Sequence, residues 1–343
     1  MKTAVQCNQI QLITYIDRLS GGKITDLHHL LDGPLAGLFD GVHLLPFYPP
    51  IDGEDAGFDP TDHTAVDSRL GSWTDIEKLA AGYPIMADMI VNHMSAQSPQ
   101  FLDVLDKGDT SPFWPLFLTR DKVFGAAPAA EQLAAIYRPR PTPCFSDITL
   151  SNGQTVPFWT TFTANQIDID VTSAPGEAYL QAILQRFTDH GVKYIRLDAA
   201  GYAIKKAGSS CFMLPETFDF IAKLSEQAKA RGMTCLVEIH GYHKTQIDIA
   251  KRCDLVYDFA LPPLVLHTLF SKDATALKNW LDIAPRNCIT VLDTHDGIGI
   301  VDAADAPAKS WQQGLSRTDL VREDLGAAER EVIQARVDFE PGV

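Results

Sequence analysis

Seven short, almost continuously apolar runs recur along this chain of 343 residues, and amphipathic segments separate them. Such runs are typical of strands in a parallel sheet that is covered on both faces. Two intervening segments, Gly176–Asp189 and Pro215–Arg231, repeat apolar residues every three or four positions, which predicts helices. The alternation therefore predicts an α/β fold built from βα units. The predicted strands are Gln11–Ile16, Gly41–Phe47, Pro84–Val91, Tyr194–Leu197, Thr234–Ile239, Leu255–Ala260 and Cys288–Leu292.

Five of the apolar runs have a polar residue at or just past their C-terminal end. These residues are His93, Asp198, Glu238, Asp258 and Asp296. A (β/α)8 barrel carries its chemistry on the loops at that end of its strands. A doubly wound sheet does so only at its switch point. The pattern therefore favours a (β/α)8 TIM barrel, although an eighth strand is not legible in the sequence.

The gap between the third and fourth runs is long and contains Pro- and aromatic-rich stretches. A structureless loop of that length is improbable, so we predict a small inserted subdomain B over residues 94–172. The catalytic barrel then has its first part in residues 1–93 and continues over residues 173–343. After Gly299 the chain becomes charged and Ala-rich, so either an eighth strand is not recognisable there or the barrel is incomplete, and we expect the second.

The net charge limits the binding partners that we expect, and the cysteines and the apolar runs indicate the cellular compartment. A net charge of −15 disfavours nucleic acid and anionic membranes as partners. The six cysteines show neither paired nor zinc-like spacing, which indicates free thiols in a reducing compartment. The N-terminus lacks the apolar core of a signal peptide, and no apolar run approaches about 18 residues. We therefore expect a cytoplasmic protein.

Two acidic residues at the ends of adjacent predicted strands are the main candidates for catalytic residues. Arg196 and Asp198 are two positions apart and face the same side of a strand, so the arginine favours an ionised carboxylate there. Glu238 follows an apolar run, where partial burial would raise its pKa and suit a general acid. An ionised acid beside a protonated one is what glycoside chemistry requires, and a separation of about 5–5.5 Å implies retention.

Further polar residues accompany this pair. Asp296 would add a third carboxylate beside His295, while Asp88, Asn92 and His93 could orient a sugar ring and the surrounding loops. Each also has a structural interpretation, because an Asp before a helix is commonly a cap and a histidine is commonly a hydrogen-bonded core residue. We interpret Asp258 as structural.

The motifs DMIVNH, YIRLDAAGY, LVEIH and VLDTHDG resemble the four ordered signatures of the α-amylase superfamily, glycoside hydrolase family 13. Intervening blocks such as IYRPRP, QIDID and AGSSCFM are similar to the sucrose phosphorylases of that family. The resemblance implies reversible glucosyl transfer from sucrose to phosphate, giving α-glucose 1-phosphate and fructose through a covalent glucosyl-enzyme. It also implies a homodimer that needs no cofactor and no metal.

The resemblance assigns roles to individual residues. Asp198 would be the nucleophile, Glu238 the acid/base and Asp296 the transition-state stabiliser. The donor glucose would contact Asp55, His93, Arg196 and His295, and Phe58 and Phe162 would form apolar walls, with Gln166 nearby. Towards the acceptor and phosphate it would place Tyr137, Arg140, Tyr202 and His240.

A Pro-braced loop holds Arg138 and Arg140, and a guanidinium binds phosphate bidentately. Surface ion pairs explain Arg138 equally well, whereas for Arg140 we favour a role in function. Members of the family continue well beyond this chain, with an eighth strand, another acceptor-side loop and a C-terminal β-domain. We therefore expect a truncated chain with weak or no activity.

Other interpretations stay open at this point. Within the superfamily they are phosphorolysis of sucrose 6′-phosphate or glucosyl glycerate, and plain α-glucoside hydrolysis. Outside catalysis, the chain could be an inactive barrel fragment that at most binds glucosides. A metal-dependent hydrolase is disfavoured, because His93, His240 and His295 form neither an HxH nor an HExxH motif.

Overall fold

A computed structural model describes residues 9–53, 55–125, 127–241, 243–292 and 297–298 of the chain. Within them, seven strands form one parallel sheet; six lie in runs predicted as strands, and the fourth, predicted over Tyr194–Leu197, extends one residue further to Asp198. No eighth strand of this sheet is found among the described residues. In spatial order the strands are β1 (Gln11–Thr14), β2 (Gly41–Leu44), β3 (Ile85–Ile90), β8 (Tyr194–Asp198), β9 (Thr234–Val237), β10 (Leu255–Asp258) and β11 (Cys288–Thr290).

Helices follow the strands and cover the outer face of the sheet. The apolar sides of the first six helices form one continuous core with the outward-facing strand residues, for example Leu27, Ile183 and Leu224 with Val42 and Ile195, whereas the last two pack together in a separate cluster around Leu264 and Trp280. This arrangement explains why the strands are apolar on both faces. The helices are α1 (Ile16–Ser20), α2 (Ile24–Asp32), α3 (Trp73–Ala80), α7 (Ala174–Asp189), α8 (Pro215–Lys229), α9 (His243–Ala250), α10 (Leu261–Ser271) and α11 (Thr275–Ile283).

Some boundaries differ from the sequence prediction. The first strand ends at Thr14, because Ile16 already begins α1 and buries its side chain there. Helix α7 begins two residues earlier than predicted. Ser173 caps it by accepting a hydrogen bond from the Gly176 amide, and Pro175 is tolerated in the first turn, where its missing N–H is not needed.

Inward-facing side chains form two layers on the inner face of the sheet. The layer nearer the N-terminal ends of the strands is apolar and joins neighbouring strands through Met86, Leu236, Leu255 and Tyr257, with Tyr194 and Ile289 packed against it. Two residues further along β3, β8 and β9, the same face carries Asp88, Arg196 and Glu238. The inner face of the sheet therefore changes from apolar to charged towards the C-terminal ends of the strands, where the active site of a (β/α)8 barrel lies.

The segment between β3 and β8 contains elements of its own. Strands β4 (His93–Ser95) and β7 (Gln166–Asp168) pair antiparallel, with His93 opposite Asp168, and so bring the two ends of the segment together. Helices α4 (Pro99–Lys107), α5 (Arg120–Phe124) and α6 (Ala130–Ala135) and the hairpin of β5 (Phe145–Thr149) and β6 (Thr155–Trp159) lie between them, with short 3-10 turns at Gly108–Thr110 and Trp114–Leu116. The division into residues 1–93, 94–172 and 173–343 stays a prediction.

None of the helices in the described part of the chain has the length and apolar character needed to cross a bilayer.

Candidate active site

One buried arginine joins the two acids that the sequence placed at adjacent strand ends. Nη1 of Arg196 lies 3.1 Å from Oδ1 of Asp198, and Nη2 contacts Oε1 of Glu238. Asp198 is the last residue of β8, and Glu238 directly follows β9. The guanidinium is 1% exposed, whereas the two carboxyl side chains are 13% and 10% exposed. Both acids therefore reach the open end of the sheet above one shared cation.

Beneath the pair, Asp88 on β3 contacts the same guanidinium, with Oδ1 at 2.5 Å from Nη1. Burial alone would lower the pKa of Arg196, but the charges of Glu238, Asp88 and Asp198 raise it well above its usual value. Burial likewise raises the pKa of Asp88, yet Arg196 and His43 outweigh it and hold that pKa below the usual range. The layer thus contains a permanent cation facing ionised Asp88.

The backbone is strained next to this site. Ala199, directly after Asp198, has a φ of 54°, and Ala56, directly after Asp55, has a φ of 49°. Left-handed conformations of non-glycine residues cost on the order of 1 kcal/mol or more and are concentrated at functional sites. The tight turn at Ala199 ends β8 directly after Asp198 and leads into the 3-10 turn Ala200–Tyr202.

His240 lies beside the acid that follows β9. Its imidazole stacks on Phe259, with ring centroids 4.0 Å apart and an interplanar angle of 14°. Nε2 of His240 is 3.6 Å from Oε1 of Glu238. That separation is longer than a normal hydrogen bond but leaves the imidazole within electrostatic range of the carboxyl group.

A second group of predicted residues surrounds Asp55 on the loop after β2. Oδ1 of Asp55 lies 3.0 Å from Nη2 of Arg140, and Oδ2 accepts a 2.7 Å hydrogen bond from Nε2 of Gln166. The guanidinium of Arg140 also lies 5.8 Å from the ring centroid of Phe162. The structure therefore brings together four predicted residues that are widely separated in sequence.

Aromatic contacts connect this group with the acid pair. The rings of His93 and Phe162 are 5.4 Å apart, and Tyr202 lies 5.2 Å from Phe162. His93 donates from Nε2 to the carbonyl of Phe58 at 2.9 Å, and Arg196 lies 5.4 Å from the Phe58 ring centroid. Burial lowers the pKa of His93, so this imidazole is neutral at physiological pH.

Tyr137, Tyr202 and Phe212 form an aromatic stack on one side of the site, with centroids 4.4 to 6.0 Å apart. Burial, Tyr137 and the nearby carboxylates raise the pKa of Tyr202 well above its usual value, which keeps its hydroxyl neutral. A Cβ on Gly201 would lie only 2.8 Å from Phe212, so the stack requires glycine there.

The two arginines of the IYRPRP loop lie in different places. Arg140 is part-buried against Asp55, whereas Arg138 is exposed and its Nη1 donates to the Thr142 carbonyl at 3.3 Å. Two further predicted residues, His295 and Asp296, fall outside the described residues.

Asp258 contacts two helices of the outer layer, which fits its structural interpretation. Its carboxylate accepts hydrogen bonds from Nε1 of Trp280 on α11 at 2.9 and 3.1 Å, and from the Leu261 amide at the start of α10. The side chain thus caps one helix and anchors the next.

Sequence reasoning passed over several polar residues of this region. His43 on β2 donates from Nε2 to Oδ2 of Asp88 at 3.0 Å. The only feature of the sequence that could have indicated this role is a histidine inside an otherwise apolar run. Lys205 is buried, with Nζ 2.7 Å from Oδ2 of Asp168 and 2.7 Å from Oδ1 of Asn92. No motif marked Lys205, because its partners lie in other segments.

In the described part of the chain, no group of three or more His, Cys, Asp and Glu side chains is arranged to hold a metal ion.

Comparison with known proteins shows the family and the fold of the chain. The model of the α-amylase catalytic domain matches residues 36–296, more than half of the chain. A sucrose phosphorylase from Agrobacterium vitis is 60% identical over 86% of this chain, and one from Bifidobacterium adolescentis is 51% identical over 90% of it. The crystal structure of sucrose 6F-phosphate phosphorylase from Thermoanaerobacter thermosaccharolyticum superposes with a TM-score of 0.86 at 34% identity, over 98% of this chain and 66% of that one.

This chain spans 60% and 61% of the lengths of the two sucrose phosphorylases. The similarity confirms the predicted (β/α)8 TIM-barrel fold, of which the described residues supply seven parallel strands. On the strength of the family match and of the ordered strand-end residues, the chain belongs to the α-amylase catalytic-domain family.

Proposed function

We propose that this chain transfers a glucosyl group from sucrose to phosphate with retention, releasing fructose and α-glucose 1-phosphate. The observation that carries the proposal is the shared contact of Arg196 with Asp198 and Glu238. Two carboxyl groups that approach one guanidinium from adjacent strands fit the short separation of a retaining pair. The similarity to two sucrose phosphorylases supports sucrose as the donor.

In the first step, a carboxylate oxygen of Asp198 attacks the anomeric carbon of the glucosyl group. The bond from that carbon to the fructosyl oxygen breaks, and Glu238 donates its proton to this oxygen. The products are fructose and a β-glucosyl ester of Asp198. The attack requires the ionised form of Asp198, which the contact with Arg196 favours; because the same guanidinium also contacts Glu238, the proton of Glu238 has to be held against that cation.

In the second step, a phosphate oxygen attacks the same carbon from the face that fructose has left. Glu238 takes the proton of the attacking phosphate, and the ester bond to Asp198 breaks. Two inversions restore the α configuration. Asp296 is proposed to stabilise the positive charge that develops on the sugar in both transition states.

We assign the donor and acceptor contacts to the two residue groups of the site. Asp55, Gln166 and His93 would hold the glucosyl hydroxyls, with Phe58 and Phe162 as apolar walls. His295 is proposed to complete these donor contacts. Arg140, Tyr202 and His240 would face the leaving fructose and the incoming phosphate, since Arg140 can offer a planar, bidentate guanidinium.

The test is to incubate the purified chain with sucrose, with and without phosphate, and to measure fructose and glucose 1-phosphate. Asp198→Asn should abolish both products, because an amide cannot form the ester. Asp219→Asn is a matched control, since this carboxylate is 81% exposed on α8. A folded chain that releases no glucose 1-phosphate would contradict the proposal.

Three other results would support a different function, the second of them obtained by replacing sucrose with an alternative donor. Fructose release that does not depend on phosphate would indicate hydrolysis. Turnover only with sucrose 6′-phosphate or glucosyl glycerate would indicate another phosphorylase, and a 38% identical relative is a sucrose 6(F)-phosphate phosphorylase. No turnover by a chain that melts broadly would indicate an inactive fragment.

Homodimer formation and the cytoplasmic location stay predictions. Sedimentation of the purified chain at several concentrations tests the first, and fractionation of the source cells tests the second.

A further inference from the structure

We propose that His43 is a positioning residue of the site, acting through Asp88 on Arg196; this inference rests on the proposed function. His43 lies on β2, three strands away from Glu238 and β9. The juxtaposition that carries the inference is a continuous chain of contacts across β2, β3 and β8: His43 to Asp88, Asp88 to Arg196, and Arg196 to both acids.

The first step concerns the buried carboxylate of Asp88. Its Oδ1 contacts Nη1 of Arg196 at 2.5 Å, and its Oδ2 accepts from Nε2 of His43 at 3.0 Å. The backbone carbonyl of Asp88 also accepts hydrogen bonds, from the Tyr48 hydroxyl at 2.6 Å and from His63 at 3.1 Å. The main chain is thus anchored separately, and His43 fixes the rotation of the carboxylate itself.

The second step concerns Arg196. Its guanidinium is almost fully buried and contacts three carboxyl groups, those of Asp198 and Glu238 at the C-terminal ends of their strands and that of Asp88 within β3. A buried carboxylate with one unsatisfied oxygen is expected to rotate or take up water. Loss of the His43 hydrogen bond therefore lets Asp88 turn, and the guanidinium shifts relative to the two acids.

The third step concerns the chemistry. Arg196 orients both carboxyl groups, so a shift of the guanidinium directly disturbs the attack and the proton transfer, whereas the bound donor keeps its other proposed contacts with Asp55, Gln166 and His93. A misplacement of about 1 Å costs as much as a hundredfold in rate. His43 itself is not a catalytic residue, since its described contact is with Asp88.

The experiment compares His43→Asn with His43→Gln. Both carry an amide donor, but only the longer glutamine reaches the position of the imidazole Nε2, so the pair differs in reach alone. We expect the Asn variant to lose about tenfold or more in kcat with KM changed by less than about threefold, and the Gln variant to recover most of the loss. Equal kcat for the two variants would overturn the inference.

Crystal structures of both variants provide a readout that is independent of turnover. In the Asn variant Arg196 should leave its contacts with Asp88 or Asp198, and in the Gln variant it should keep them. If the contacts of Arg196 are unchanged in the Asn variant, the positioning role is overturned, even if the chain proves inactive. If the wild-type chain is inactive but Arg196 is shifted in the Asn variant, only the proposed function is contradicted. If the Asn variant does not fold, His43→Leu, which fills the volume without a donor, replaces it in both measurements.

Discussion

Nη1 of Arg196 lies 3.1 Å from Oδ1 of Asp198, two residues further along the same strand. The second nitrogen of the same group contacts Glu238 on the next strand, so one rigid, planar cation relates the positions of both acids. A planar guanidinium can hold two carboxylates at once, and a single ammonium group cannot hold the same two in the same geometry.

Arg196→Lys should therefore lower kcat by about a hundredfold or more, even though the positive charge is kept. Steady-state kinetics with sucrose and phosphate check this. Arg252→Lys is the control, because that guanidinium is 57% exposed and lies 3.9 Å from Asp219. If Arg196→Lys leaves kcat within about threefold of the original value, the bridging geometry is unimportant.

The buried pair of Lys205 and Asp168 makes a prediction about stability. Lys205→Met removes a cation that is 1% exposed and leaves the fully buried Asp168 carboxylate without it. Loss of one partner of a buried pair typically costs about 3–5 kcal/mol in the free energy of unfolding.

Denaturant unfolding measures this cost, and the adjacent Lys206 offers a matched control. Lys206 pairs with Glu216 at the surface and is 61% exposed, so Lys206→Met should change stability little. Equal effects of the two substitutions would refute the idea that burial makes Lys205 important.

His63 predicts a loss of stability in acid. Burial lowers its pKa from 6.5 to about 4, while the unfolded chain keeps the ordinary value. The unfolded state therefore binds the proton first, so this contribution is complete above pH 6.5 and is lost as the pH falls towards 4. Between about pH 7 and pH 5 the loss amounts to about 2 kcal/mol.

The variant His63→Gln can keep the donor to the Asp88 carbonyl but does not titrate. Its unfolding free energy should therefore fall less steeply than that of the original chain over the same pH interval. Parallel pH profiles of the two proteins would be inconsistent with a buried neutral imidazole at this position.

Asp258 should matter for stability and not for chemistry. Asp258→Ala leaves the buried Nε1–H of Trp280 without this acceptor, which costs about 1–3 kcal/mol. Asp258→Asn, which retains one acceptor oxygen, should cost less. Thermal melts measure both effects, and kcat of the folded fraction should be unchanged. A large loss of kcat at unaltered stability would instead place Asp258 in the site.

Much of the fold was predictable because its signals are local. Apolar runs identified all seven strands of the parallel sheet but not the four short strands of the inserted segment, and helical periodicity identified α7 and α8 within a few residues of their ends. The position of Asp198 and Glu238 at strand ends also needed only the sequence, since parallel strands place their C-terminal ends on one side. That arrangement and the ordered motifs were enough to predict the barrel family.

Tertiary structure decided what depends on neighbours far apart in sequence. The register of β3 against β8 places Asp88 opposite Arg196, and one residue of slip would point the two side chains to opposite faces. The different surroundings of Arg138 and Arg140 also depend on folding, because Arg140 contacts Asp55 across 85 positions of sequence. The sequence by itself determined which residue types stand at the strand ends; only folding brought their charges within hydrogen-bonding distance, because side-chain contacts between strands depend on register and burial and not on local periodicity.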